Sequence, residues 1–364
     1  MTVKTETLIH QTRIHFPRID MDSVKITPIE KGGSGRRFYR VHNTSEQKLI
    51  LVKYNLERLE NGHYVAIAKF LEAHDIRAPK IYFHDPDEGL IWIEDLGEED
   101  LFGHRDESWL VRRALYESAL DQGAKLHRIS KAESRAIRTK LPAEFNAELY
   151  IWEQAYFLKN CLGRYLRMDQ ERLRQLAASP ALHAVAEKLA ALPRVLVHRD
   201  FQSQNIIVRN GLAYLIDFQG MRPGLAEYDV ASLLYDPYVK LADNERTELV
   251  QYYIESQKEF GLDVRAQFEE VLPLCAMQRL MQALGAYGFL GLVKKHDSFL
   301  QHIPSALKSL HQVVSKLPDL GMVTETVAEA MGACNVAAAS DTTAPARPQT
   351  RRGEVGPRRK RVGG

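Results

Sequence analysis

Residues 195–229, VLVHRDFQSQNIIVRNGLAYLIDFQGMRPGLAEYD, decide how this chain folds. The stretch opens with a short apolar run at 195–197, which predicts a strand. Two longer apolar runs follow, at 206–208 and 212–216, with Asn210-Gly211 between them. Asn-Gly between apolar runs predicts a β-hairpin with a two-residue turn, because both turn positions need a positive φ.

This hairpin would bring two distant polar side chains together. If Arg209 pairs with Leu212, then Asn205 lies opposite Ile216 and Asp217 follows directly. A side-chain amide beside a carboxylate makes a hard oxygen site of the kind that Mg²⁺ prefers. The sequence therefore predicts that Asn205 and Asp217 are magnesium ligands.

A second carboxylate, Asp200, lies one loop away, in the motif His198-Arg199-Asp200 and five positions before Asn205. One Asp that orients or deprotonates a hydroxyl, with an Asn and another Asp that hold metal on nucleotide phosphates, is the residue set of phosphoryl transfer. The alternative interpretation is a polar turn beside a solvated hairpin. We predict that Asp200 is the catalytic residue and that ATP and Mg²⁺ are the cofactors.

The segment before this stretch predicts a small nucleotide-binding lobe. Strands are expected at Val24–Ile29, Phe38–Val41 and Lys48–Tyr54. Between the first two lies a glycine-rich loop that contains Gly33, Ser34 and Gly35, and glycines let backbone N–H groups approach phosphates closely. The loop lacks a third glycine at the spacing of the full motif, so it also fits a plain hairpin. Lys53 on the third strand is expected to hold nucleotide phosphates.

The remaining pattern predicts an α+β, two-lobed, protein-kinase-like fold with a small antiparallel sheet and a larger helical lobe. A helix is expected at 60–74, strands at 78–83 and 90–95, and helices beyond Gly97. From Gly321 onward Ala, Thr, Pro, Gly and Arg dominate, which predicts disorder. The expected divisions are an arm or short helix at 1–24, a nucleotide-binding lobe at 25–95, a helical lobe at 96–320 and a disordered basic tail at 321–364.

Composition excludes several classes of protein. The 364 residues carry a net charge of +2, and residues 341–364 hold seven basic against two acidic residues, so the rest is acidic overall and no nucleic-acid partner is expected. Three scattered cysteines and an N-terminus without an apolar core predict a cytoplasmic protein. The apolar segment 271–293 is long enough to span a bilayer, but Arg279 and several polar residues interrupt it, which favours a buried helix. We expect a monomer without a membrane partner.

Several motifs resemble those of the aminoglycoside phosphotransferase superfamily, and more narrowly those of the bacterial anomeric kinases that phosphorylate N-acetylmuramate and N-acetylglucosamine at C1. The resemblance covers roughly residues 25–310. The superfamily signature is HRDFQSQN (198–205) with Asp217, and the narrower matches are GSGRRFYRV (33–41), IEDLG (93–97), DFQ (217–219), YDVASLLYDP (228–237) and QRLMQALGAYGFL (278–290).

The resemblance implies a role for each matching residue. It makes Asp200 the base or orienting group, Asn205 and Asp217 the Mg²⁺ ligands and Lys53 the phosphate-binding lysine. Backbone groups near Ile93–Asp95 would bind adenine, unless this is an ordinary edge strand. His198 and Asp229 would support the catalytic loop.

Three departures from the resembled pattern stand out. The helix glutamate that pairs with the strand lysine in kinases is replaced by Tyr64, with Glu60 one turn earlier as an alternative. Gly220 stands where the sugar kinases are expected to have an acidic residue, and the stretch 221–225 also differs from their pattern. The last two departures concern the choice of sugar more than the chemistry.

Polar residues around the motif are candidates for contact with a small-molecule sugar substrate: Arg199, Gln202, Gln219 and Arg279. A lone charge in an apolar helix needs a partner, so Arg279 is expected to meet Asp229, Asp236 or a substrate carboxylate. One alternative is a superfamily kinase for aminoglycosides, amino alcohols or another hexose. A second is an inactive nucleotide-binding scaffold. Such a protein would be expected to have lost at least one of four residues, and all four are present: Lys53, Asp200, Asn205 and Asp217.

Overall fold

In the part of the N-terminal lobe that the structure describes, five antiparallel strands form one sheet. The computed structural model describes residues 5–16, 24–29, 36–42, 48–56 and 59–342. The strands are β1 (Lys25–Ile29), β2 (Arg37–His42), β3 (Leu49–Lys53), β4 (Ile81–Asp85) and β5 (Leu90–Glu94), in the spatial order β1-β2-β3-β5-β4. Helix α1 (Thr5–His15) precedes the sheet, and α2 (Leu59–Ala73) lies between β3 and β4.

The two faces of this sheet belong to different cores. Leu49 and Leu51 of β3 pack with Trp92 and with α1 on one face. Val52 points the other way and joins the main core together with Tyr64 of α2. Successive strand residues alternate between faces, so the face that a β3 residue occupies decides whether it can reach the space between the lobes.

The C-terminal lobe is mostly helical. Its helices are α3 (Trp109–Arg128), α4 (Arg135–Arg138), α5 (Ala147–Phe157), α6 (Gln170–Ala177), α7 (Pro180–Ala191), α8 (Ala226–Leu234), α9 (Asp243–Lys258), α10 (Arg265–Leu292), α11 (Ile303–Val314) and α12 (Gly321–Thr342). Helix α5 continues as a π-helix at Leu158–Tyr165. Two strand pairs are set among the helices: β6 (Val195–Val197) with β9 (Arg222–Gly224), and β7 (Ile206–Arg209) with β8 (Leu212–Leu215).

Helix α10 is the buried helix that its apolar composition suggested. It packs against α5, α8, α11 and the π-helix, which explains why most of its circumference is apolar. Glycine makes the closest of these approaches possible, since a Cβ on Gly288 would stand 2.3 Å from the carbonyl oxygen of Asn160. In the part of the chain that the structure describes, no helix has the length and apolarity needed to cross a membrane.

The expectation of disorder from residue 321 onward is wrong for residues 321–342, which form α12. Val323, Val327, Ala330 and Cys334 are buried there. Their spacing of four, three and four residues puts them on one helical face, which packs against α11. The low-complexity composition of the last thirty residues concealed this short apolar stripe. Residues 343–364 lie outside the described part of the chain.

Candidate active site

The hairpin of β7 and β8 has the predicted turn and register. Asn210 and Gly211 both adopt positive φ, 53° and 73°. At the open end, the backbone N–H of Ile216 donates to the carbonyl oxygen of Asn205 at 3.0 Å. Asn205 therefore lies opposite Ile216, and Asp217 comes directly after it, as the turn chemistry indicated.

Two further hydrogen bonds tie the loop after β6 to this hairpin. The amide nitrogen of Asn205 donates to the carbonyl oxygen of Asp200 at 2.9 Å. Nε2 of His198 donates to the carbonyl oxygen of Ile216, also at 2.9 Å. The backbone of Ile216 is thus bonded both to Asn205 and to His198. Asp217 follows directly, and its φ of 59° is in the left-handed region. The structure brings Asp200, Asn205 and Asp217 together.

Asp229 is fully buried and supports the start of the loop that follows β6. Its carboxylate accepts from the backbone N–H of His198 at 2.6 Å, from the backbone N–H of Arg199 at 2.8 Å and from Nε2 of His127 at 3.1 Å. Arg199 has a φ of 77°, a conformation that costs about 1–3 kcal/mol for a residue with a side chain and therefore needs such support. Tyr253 contacts the other nitrogen of His127 at 2.8 Å and continues the network into α9.

Asp236 supports the same loop from its other end. It accepts from the backbone N–H and the hydroxyl of Ser203, at 2.8 Å and 2.6 Å, and from the backbone N–H of Tyr238 at 3.0 Å. The loop that carries Asp200 is therefore fixed by two buried carboxylates, one on each side. The sequence motif gave no indication of this role for Asp236.

Arginine side chains surround the carboxylate of Asp200. Nη2 of Arg279 lies 3.5 Å from Oδ1, and Nη1 of Arg199 lies 3.8 Å from Oδ2. Enclosure by the protein alone would raise the pKa of Asp200, but Arg279, Arg199 and, more weakly, Arg222 outweigh it and lower that pKa. Asp200 is therefore ionised at neutral pH and can accept a hydrogen bond or a proton.

The charge of Arg279 meets a different acid from the two that the sequence suggested. Its Nη2 also donates to Oε1 of Gln202 at 3.2 Å. Asp229 and Asp236 are occupied by the loop backbone instead, so the ion pair of Arg279 is with Asp200. The structure thus brings Arg199, Gln202 and Arg279 close to the carboxylate of Asp200.

Glu153 of α5 and Arg222 of β9 also belong to this cluster, although sequence reasoning did not select them. Glu153 is fully buried and accepts from the hydroxyl of Tyr228 at 2.8 Å. Burial raises its pKa from the usual 4.5 to about 7. The sequence offered one signal for Glu153, namely that an acidic residue lies within the aromatic-rich segment 144–166.

Replacing Glu153 by glutamine is expected to stabilise the protein at alkaline pH. A carboxyl whose pKa is raised on folding contributes most below its unfolded pKa and loses that contribution as pH rises through the folded pKa. The variant should match the wild type below pH 4.5 and be more stable by roughly 3 kcal/mol at pH 8, since one pKa unit corresponds to about 1.36 kcal/mol. Urea unfolding of the ligand-free protein from pH 5 to 8 measures this difference, and a constant difference across that range would contradict it.

Lys53 does not reach the cluster. Since it alternates with Val52, it shares the sheet face of Leu49 and Leu51, which is the face that α1 covers. Its Nζ donates to the carbonyl oxygen of Glu88 in the turn between β4 and β5. The segment with Gly33, Ser34 and Gly35 lies outside the described residues, as does the side chain of Glu60.

Some of the groups at 93–95 that were expected to lie near adenine already have partners within the protein. The backbone N–H of Asp95 donates to the carbonyl oxygen of Lys48 at 3.2 Å, and its carboxylate accepts from Nε of Arg40 at 2.6 Å. Ile93 is buried within β5. The backbone N–H of Asp95 is therefore already used within the sheet, and adenine binding by backbone groups near these residues stays a prediction.

Asn205 and Asp217 have the chemistry of a magnesium site. Among the described residues no cluster of three or more His, Cys, Asp and Glu side chains could hold a metal ion. The hydrogen bond from Asn205 uses its amide nitrogen, which leaves the oxygen for a cation. The side chain of Asp217 is half exposed, and Nε2 of Gln219 donates to its Oδ1. Hard oxygen atoms of this kind fit Mg²⁺.

Comparisons with known proteins bear on the family and the fold of this chain. A sequence profile described as the phosphotransferase enzyme family matches residues 25–268. An N-acetylmuramate/N-acetylglucosamine kinase of Neisseria meningitidis serogroup B is 24% identical over 326 residues, which are 87% of this chain and 93% of that protein. The kinase of the same name from Pseudomonas aeruginosa is 22% identical over 85% of this chain and 89% of its own length.

Solved structures show the same fold at lower identity. The ADP-bound aminoglycoside phosphotransferase APH(2'')-Ib superposes with a TM-score of 0.58 at 14% identity, over 85% of this chain and 99% of the other. An ethanolamine kinase of Plasmodium vivax also gives 0.58, at 16% identity over 85% and 90% of the two chains. The expected α+β, protein-kinase-like fold is confirmed. Because the family profile covers well over half of its length, the chain belongs to the phosphotransferase enzyme family.

Proposed function

We propose that this phosphotransferase is an ATP-dependent kinase for an N-acetylated amino sugar, that it acts on the C1 hydroxyl, and that N-acetylmuramate is its preferred substrate. The observation that carries the proposal is the group of three arginines, Arg199, Arg222 and Arg279, around the carboxylate of Asp200. We also infer that it works in the cytoplasm as a monomer.

The arginines give this part of the site an excess of positive charge. Such a surface disfavours a polycationic aminoglycoside and favours a substrate with a carboxylate. The lack of a side chain at Gly220 preserves this positive charge. A Cβ there would stand only 3.7 Å from Nη1 of Arg199, so any side chain at this position would lie beside the guanidinium. That guanidinium already lies 3.8 Å from Asp200. An acidic side chain at position 220 would add a second negative charge beside it, whereas glycine adds none and keeps the excess of positive charge for the substrate. N-acetylmuramate carries a lactyl carboxylate, and N-acetylglucosamine is the same sugar without it.

The proposed reaction is an in-line transfer. The sugar hydroxyl oxygen forms a bond to the γ-phosphorus while the bond from that phosphorus to the bridging oxygen breaks, so ADP keeps the bonding electrons. Asp200 accepts a hydrogen bond from the attacking hydroxyl and takes its proton late. An anomeric hydroxyl is more acidic than an ordinary alcohol because the ring oxygen withdraws electron density, so a carboxylate with a lowered pKa suffices as the base.

Asn205 and Asp217 would hold Mg²⁺ on the nucleotide phosphates. Bound there, the ion would neutralise charge that develops on the leaving group. The network of Asp229 and Asp236 would keep the loop rigid, so that Asp200 faces the acceptor without a reorganisation of the backbone during the reaction.

A direct test is to offer ATP-Mg²⁺ and a panel of acceptors to the purified protein: N-acetylmuramate, N-acetylglucosamine, glucose, kanamycin and choline. We expect kcat/KM for N-acetylmuramate to exceed that for glucose by at least about tenfold, since one well-placed charged hydrogen bond contributes roughly 1.5–3 kcal/mol. Phosphorus NMR should locate the phosphate on C1. Phosphorylation of kanamycin in preference to the sugars, or phosphate on another hydroxyl, would contradict the proposal.

The two N-acetylated sugars provide a matched pair for the arginines. Arg222→Met should raise KM for N-acetylmuramate about tenfold and leave KM for N-acetylglucosamine nearly unchanged, because only the former carries the carboxylate. Equal losses for both sugars would mean that Arg222 does not bind this group.

A further inference from the structure

Arg36 is a buried cation directly before β2. Only 6% of its side chain is exposed, and its Nη2 lies 3.5 Å from Oδ1 of Asp217. Asp217, by contrast, keeps half of its side chain exposed. The guanidinium therefore approaches the carboxylate from the protein side, while the other side of Asp217 stays open to a metal and a nucleotide.

Aromatic rings hold the guanidinium in place. Its central carbon lies 5.8 Å from the ring of Tyr64 and 6.0 Å from the ring of Phe38. Tyr64 in turn stacks on Phe218, the neighbour of Asp217, with centroids 4.8 Å apart. Helix α2 thus offers an aromatic face at the position where the kinase pattern has a glutamate for the strand lysine. A planar guanidinium fits between such rings better than an ammonium group does.

The register of the sheet explains why Lys53 cannot take this place. Phe38 pairs with Val52, and Arg37 pairs with Lys53. Phe38 and Val52 face α2 and the main core, so Arg37 and Lys53 face the opposite side of the sheet. Arg36 precedes Arg37 by one position and shares the face of Phe38.

We propose that Arg36, rather than Lys53, is the cation of the N-terminal lobe that binds the phosphate oxygens of the nucleoside triphosphate beside Asp217. This inference rests on the proposed function in one respect only, the use of a nucleoside triphosphate with Asp217 on its metal ion. The fork of a guanidinium can contact the carboxylate with one nitrogen and a phosphate with another. Tyr64 takes over the positioning task that a helix glutamate performs for a strand lysine.

Four single variants test the assignment: Arg36→Met, Arg36→Lys, Lys53→Met and Arg37→Met. Methionine keeps the apolar stem and removes the charge, and Arg37, the exposed neighbour on the opposite face, is the matched control. Binding of a fluorescent ATP analogue with Mg²⁺ is measured without any acceptor, so the result does not depend on the identity of the sugar. The kinetic constants are then measured with whichever acceptor the wild type phosphorylates.

Arg36→Met is expected to lower kcat/KM for ATP about 100-fold and to weaken binding of the analogue, with less than a threefold change in KM for the acceptor. Arg36→Lys should recover part of the loss. Lys53→Met and Arg37→Met should each stay within threefold of the wild type. If Arg36→Met melts more than about 10 °C below the wild type, the Arg36→Lys and Lys53→Met values decide. A loss in Lys53→Met equal to that in Arg36→Met, or unchanged ATP constants in both Arg36 variants, would overturn the assignment.

Discussion

Replacing Asp200 by asparagine is expected to lower kcat by about 1,000-fold or more, with little change in KM for ATP. Asparagine has nearly the same shape, so the substitution removes the proton acceptor and keeps the volume. General base catalysis contributes roughly 10²–10⁴ in rate, and here the loss of negative charge also leaves Arg199 and Arg279 without their shared counterion. Steady-state kinetics with ATP-Mg²⁺ and the preferred sugar measures the effect.

Asp106→Asn provides the matched control, because the side chain of Asp106 is 86% exposed and lies far along the chain from the motif. It should leave kcat within experimental error of the wild type. Circular dichroism should show that Asp200→Asn remains folded, since the loop is held by Asp229 and Asp236. A variant at position 200 that retains near-full turnover would remove the proposed base from the mechanism.

The parts of the site that the sequence predicted depend on local chemistry. Asn210-Gly211 specifies a two-residue turn whatever surrounds it, and that turn alone sets Asn205 opposite Ile216. The bond from Asn205 to the loop then brings Asp200 to the same end. Both contacts follow from short-range features of the sequence: the two-residue turn sets the register of the hairpin, and Asp200 lies only five positions before Asn205.

The parts that the sequence did not predict depend on register or on distant segments. A shift of one residue moves a strand side chain to the other face of a sheet, and the sequence of β3 did not reveal that Lys53 faces α1 while Val52 faces the core. Arg36 could not be chosen over its neighbour Arg37 for the same reason. Glu153 of α5 meets the arginines only because segments more than forty residues apart in the sequence pack together, and the sequence alone did not show that packing.

Asp229 should be the residue outside the reacting groups whose replacement does the greatest damage. Its two oxygen atoms accept three N–H donors inside the protein, from His198, Arg199 and His127. Asparagine offers one oxygen and turns an NH₂ group toward at least one of those donors, so a buried hydrogen bond becomes a contact between two donors. An unsatisfied buried group and the loss of a buried charge cost about 3 kcal/mol or more.

We therefore expect Asp229→Asn to lower the free energy of unfolding by about 3 kcal/mol and Tm by about 5 °C. We also expect kcat to fall by about 100-fold at temperatures where the variant is still folded, because Arg199 no longer has support for its positive φ and Asp200 follows it in the chain. Urea unfolding and kinetics at 15 °C separate the two effects. Asp106→Asn again serves as the control, with no change in either quantity. Normal kcat in a destabilised Asp229→Asn would show that the carboxylate stabilises the fold without positioning the catalytic loop, whereas normal stability would mean that the three hydrogen bonds contribute little.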